Sequence, residues 1–211
     1  MKIIILVVTL TISLHAKATD SKYIEVMSKN IDAVYKAQTA DEIQKAVNAF
    51  DRIANAEREK WEPLYYSAFG NIMLANQESD GVKKDSYLDL ALASIEKAKL
   101  IKPDDSEIVT MEGFVQMIRV TVDPAARGQK YSSKAFEAYQ KALAINPDNP
   151  RALALMAQME YGMAQFFKSP TTSACATAAK AIEKFETSKP ESQLAPMWGK
   201  GMTEDLKTKC K

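Results

Sequence analysis

The chain has 211 residues, 46% of them hydrophobic, with 28 Lys and Arg against 27 Asp and Glu. Balanced charges of interspersed sign argue against nucleic-acid binding, which needs clustered cations. Such a length suits one domain or a short array of repeats.

The first element is a targeting segment. Lys2 precedes the apolar run IIILVVTLTISL, residues 3–14, and small residues follow at Ala16 and Ala18. A basic start, a short apolar core and small residues at the cut make residues 1–18 a secretory signal peptide. The run is shorter than the ~20 residues that span a bilayer. No later run is longer, so no stable membrane insertion is expected after cleavage. Cleavage also removes His15, the one histidine, together with Lys2 and Lys17, leaving the mature chain a single acid in excess. Without histidine there are no Ser–His or Cys–His pairs and no imidazole metal sites. No catalytic residue, metal or cofactor is assigned, and the chain is not read as an enzyme. Export points to a bacterial periplasm, with secretion as the alternative. In that oxidising setting Cys175 and Cys210 are expected to pair.

From there on the pattern is helical. Apolar residues recur at three- and four-residue spacing among Glu, Lys, Gln and Ala, and no alternating run argues for a strand. The spacing predicts helices at about 21–37, 40–57, 62–77, 84–100, 105–121, 130–145, 149–167, 172–187 and 195–209. Pro103, Pro147 and Pro190 each end one helix and precede another, at intervals of 44 and 43 residues. Proline cannot continue a helix, and a capping residue stands after each: Asp105 or Ser106, Asn149, and Ser192. Counted back from the three prolines, Ala91, Ala135 and Ala178 correspond, as do Ile95, Tyr139 and Ile182, and Ala98, Ala142 and Phe185. These positions share one helix face.

This pattern resembles the tetratricopeptide repeat. Tyr66, Phe69, Gly70 and Met73 fit the first helix of one unit; Val109, Glu112, Gly113 and Gln116 fit the next more weakly. Leu153, Met156, Ala157 and Glu160 fit a third, with Ala in the Gly place, and Ala46 and Phe50 fit the end of an earlier, degenerate unit. The resemblance implies an all-α, right-handed solenoid of antiparallel helix pairs over about 21–58, 62–103, 105–147 and 149–190. The repeat family has a period of about 34; here the excess falls between the two helices of each unit, as longer loops or extended helices. Gly70, Gly113 and Ala157 are the small residues that let paired helices approach.

A solenoid needs its end covered, which the helix at 195–209 is expected to do by lying antiparallel along 172–187. Cys175 and Cys210 then fall at similar distances from a turn near residue 191, which places a disulfide between them.

Local motifs add little chemistry. Asp104-Asp105 sits at a helix start, where acids favour the dipole. SPTTSACAT reads as a loop and cap, and no phosphate-binding glycine loop occurs. DPAARG presents Arg127, a residue type that holds carboxylates or phosphates. The resemblance implies a concave wall built from first helices, with Asn71, Thr110, Arg151, Gln158 and Tyr161 as binding residues and Arg127 at a rim. Leu74, Phe114, Met117, Ile118 and Ala154 share that wall or its core. Amides can hold an extended backbone, so a peptide or protein partner is the first expectation. The alternatives are a small-molecule binder or histidine-free enzyme with a deep pocket, and a structural subunit of an envelope complex.

Overall fold

The computed structural model describes residues 20–210, so the signal segment lies outside the described residues. These fold into nine helices with no strand: α1 (20–36), α2 (Ala40–Ala56), α3 (Glu62–Gln77), α4 (Gly81–Ile101), α5 (Ser106–Val120), α6 (Pro124–Ile145), α7 (Pro150–Phe166), α8 (Thr172–Thr187) and α9 (Lys200–Thr208). Successive helices pack as antiparallel pairs into an α-solenoid, and α9 lies against α8 and α7.

Helix starts are written in the sequence. Thr39 and Glu42 form a reciprocal capping box, while Asp80, Asp105, Asp123 and Asn149 each accept a backbone N–H in the first turn. Each satisfies donors that helix geometry leaves unpaired. Proline occupies the first turn of α3, α6 and α7, where its missing N–H costs nothing.

The long repeat resolves into long second helices. α4 and α6 have 21 and 22 residues, against 16, 15 and 17 in α3, α5 and α7. The residues 76–86 and 121–132, where a longer loop was one option, are mostly helix begun early by Asp80 and Asp123.

Two glycines are set by packing. A Cβ on Gly113 would enter the ring of Tyr139, so Gly113 admits its own partner helix α6. A Cβ on Gly70 would lie 2.5 Å from Val47, so Gly70 admits α2 of the preceding pair rather than its own second helix. The core runs through the array and includes Met27, Phe50, Tyr65, Tyr66, Met111 and Tyr139, all buried.

The predicted helix at 195–209 begins only at Lys200. Pro190 and Pro196 interrupt residues 188–199, and Gly199 turns the chain at φ 106°, a conformation open to glycine at little cost. Ser192 caps no helix; its hydroxyl accepts from Leu194 N. The segment 188–199 is an irregular strap with a turn at 192–195. Cys175 and Cys210 form a disulfide that fastens the end of α9 to the start of α8. Closing 35 residues of chain is worth about 4 kcal/mol in the chain-entropy picture.

Candidate ligand-binding cavity and the strap over the concave face

The strap crosses α1, α3 and α5, first helices of their pairs, on the wall that the repeat resemblance gives as concave. Tyr66 donates its hydroxyl to Leu194 O (2.8 Å), and Met197 N donates to the Tyr35 hydroxyl (3.2 Å). Trp198 donates its indole N–H to the Tyr65 hydroxyl (2.9 Å). Its ring stacks on Phe114 at 5.5 Å and lies tilted on Phe69 at 5.4 Å. Tyr65 in turn donates to Glu107, whose carboxylate holds Arg151 through Nε (2.7 Å) and Nη2 (2.8 Å). Burial disfavours the Arg151 cation, but Glu107 beside it outweighs that and raises its pKa. The middle of the concave wall is therefore filled by the chain itself.

That filling decides where the sequence-derived residues stand. Asn71 (3% exposed) donates to Ser67 O inside the array, and its Oδ1 has no partner. Thr110 (0% exposed) donates to Ser106 O and sits beside Asn149. Neither reaches the wall's surface. Arg151 already holds a carboxylate, that of Glu107, and Arg127 is held by both oxygens of Asp85 (2.7 and 3.0 Å). Tyr161 is half-buried against Ala157, Ala178 and Leu206. Gln158 differs: it donates to Met202 O (3.3 Å) and also lines a cavity.

This cavity measures about 1160 Å³ and opens between the end of α5, the start of α6 and the end of α7, with Asn76 of α3 at one side. Its body is soft and aromatic: Met117, Met159, Met163, Phe136, Phe166 and Phe167. Amides and hydroxyls are spaced around it, at Asn76, Gln129, Gln158, Gln165, Thr121, Ser132 and Ser133, and no charged side chain lines it. The early start of α6 builds one wall, through Pro124, Ala125, Gly128 and Gln129. Phe166 and Phe167 stand 61% and 67% exposed in an edge-to-face pair.

Two lining residues are informative because nothing else requires them. Gly128 in α6 and Gly162 in α7 lie inside helices, where glycine costs up to about 1 kcal/mol against alanine. Neither has a positive φ, and a Cβ on either would meet no atom within 4 Å. Neither backbone conformation nor packing accounts for them, as is also true of Gly201 in α9, which does not line the cavity; Gly128 and Gly162 leave open space along the cavity's walls. Sequence reading noted Gly128 only as part of the DPAARG loop beside Arg127, and missed Gly162, Met159, Met163, Phe136, Phe166 and Phe167. The early start of α6 puts Gly128 inside a helix, which the predicted start at 130 did not show.

A second, smaller cavity of about 400 Å³ lies among Val34, Tyr35, Phe69, Met73, Met197 and Trp198, beside the strap. Among the described residues no cluster of His, Cys, Asp and Glu could hold a metal ion, and no helix is long and apolar enough to cross a membrane.

No protein-family model matches the chain, and no curated protein matches it. Among solved structures it is similar to the HusA haemophore from Porphyromonas gingivalis, with a TM-score of 0.80 and 29% identity, over 90% of this chain and 92% of that one. It is also similar to a thermophilic TPR protein of Thermus thermophilus, with a TM-score of 0.55 and 18% identity, over 85% and 90% of the two chains. The second likeness carries the fold alone: a helical, TPR-like solenoid.

Proposed function

We propose that this protein is an exported carrier that takes a large, planar, mostly apolar ligand of the haem and porphyrin class into the cavity between α5, α6 and α7. The carrying observation is the cavity with its two unforced glycines. At about 1160 Å³ it is somewhat larger than the usual range for small-molecule sites, roughly 300–1,000 Å³. Thioethers and phenyl rings make close, adaptable contact with a flat π face, and low glycine walls let such a face lie flush. Likeness to a haemophore over nearly the whole chain supports the same reading. The disulfide supports an oxidising, exported setting.

Iron would not be the handle. No histidine or cysteine lines the cavity, and its only candidate iron ligands are thioethers. Recognition then rests on the macrocycle, and a metal-free porphyrin binds within a few-fold of haem. We propose no reaction, because no titratable side chain lines the cavity. A peptide on the concave face would have to displace Leu194 to Trp198 and break their hydrogen bonds.

The test is a titration of the mature chain with haem and with metal-free protoporphyrin, followed by absorbance and tryptophan quenching. Gly128→Leu and Gly162→Leu, made separately, should each weaken both ligands at least tenfold while the thermal midpoint holds or rises. Undiminished binding by both variants, or no binding by the parent, would overturn the assignment.

A further inference from the structure

We propose that Lys168 is the residue that recognises a carboxylate at the mouth of this cavity, making the preferred ligand a planar apolar acid rather than a neutral ring. This rests on the cavity reading above. Lys168 directly follows Phe166 and Phe167, which line the cavity.

Its backbone is unusual. At φ 52° it is the sole non-glycine residue with positive φ among the described residues. It stands just past the end of α7, where its N–H donates to Gln165 O and that of Ser169 donates to Ala164 O. Helices that end this way favour glycine at such a position, because a Cβ is strained in the left-handed region. The chain places there a long cation instead of the residue the geometry prefers. Strain kept at a site's edge is an observation from which a functional role is argued.

The charges nearby point the same way. Lys168 is exposed and makes no ion pair among the described residues, as is true of Lys130 and Lys134 beside the lining residues Gln129 and Ser133, whereas Arg127 and Arg119 are both held by Asp85; of the three unpaired lysines Lys168 alone has a positive φ. Lys84, at another part of the rim, donates to the Thr121 hydroxyl. The cavity wall offers amides and hydroxyls but no cation. A ligand with an apolar body and an acid end can satisfy the wall with the first and Lys168 with the second. Its acid end then stays near water, where an ion pair carries little desolvation cost.

The experiment compares protoporphyrin IX with its dimethyl ester, in the same cosolvent, on the parent chain, Lys168→Gly and Lys168→Arg. Lys168→Gly should bind the diacid about fivefold more weakly and the ester unchanged. Its thermal midpoint should rise by about 2–4 °C, because the left-handed strain is relieved. Lys168→Arg should keep diacid affinity. Equal diacid binding by the parent and Lys168→Gly overturns the role of Lys168 and leaves the cavity standing, and so does an equal loss for acid and ester. Failure of the parent to bind either compound overturns the cavity assignment and this inference together.

Discussion

Single glycines show how one residue type carries two unrelated demands in this chain. At Gly113 a methyl group would collide with the buried ring of Tyr139, while at Gly128 it would meet open space. Glycine to alanine should therefore have opposite signs at the two positions. Gly113→Ala is expected to destabilise by about 2 kcal/mol through overpacking, and Gly128→Ala to stabilise by up to about 1 kcal/mol through helix propensity. Denaturant midpoints of the two variants against the parent decide this; equal shifts would mean that the glycines are interchangeable. From the sequence, Gly70 and Gly113 were legible because they recur at matched positions in the repeat. Gly128 and Gly162 recur nowhere, so only the position of the cavity gives them meaning.

At the scale of elements, the strap decides what the concave face can do. Trp198 lies between Phe69 and Phe114 and donates to Tyr65. Trp198→Ala should cost about 3 kcal/mol, from lost aromatic burial and from the Tyr65 hydroxyl left without that donor. Urea unfolding measures it, and a loss below about 1 kcal/mol, the scale of one ordinary hydrogen bond, would mean that the strap only rests on the array. The helices were legible because their period and caps are local properties. Most predicted boundaries fall close to the observed ones; α4 and α6 begin earlier and α9 later than expected. The strap was not legible, because PESQLAPMWG has no period and its hydrogen bonds to α1 and α3 reach 128 or more residues back in sequence. The concave binding residues carried over from the repeat resemblance failed to anticipate this. A repeat pattern specifies how neighbouring helices pack, and says nothing of a later segment that covers the first helices.

At the scale of the whole molecule, Tyr23, Tyr35, Tyr65, Tyr66, Tyr87 and Tyr139 lie in or against one connected core. Burial pushes the phenols of Tyr65, Tyr66 and Tyr139 well above their ordinary value, and raises Tyr23 and Tyr35 as well. A phenol whose pKa is raised by folding contributes stability that is intact below the unfolded value of about 10 and is lost as pH climbs above it. Tyrosinate absorbance from these buried rings should therefore appear only above pH 10, in a single step coincident with loss of helical ellipticity. Titration of all eight tyrosines near pH 10 with ellipticity intact would contradict a closed core.

An ordinary solenoid is open-ended: each unit touches only its neighbours, so units can be added or removed and the rest persists. Here the strap runs from the last unit back to Tyr35 in the first helix, and the disulfide ties the end of α9, the helix that follows the strap, to the start of α8. The span it must cross is set by the number of helix pairs beneath it. Inserting or deleting one pair would carry Trp198 away from the slot between Phe69 and Phe114. The architecture is modular in its parts but fixed in its count, so homologues should vary in their loops and helix lengths while keeping the same number of units.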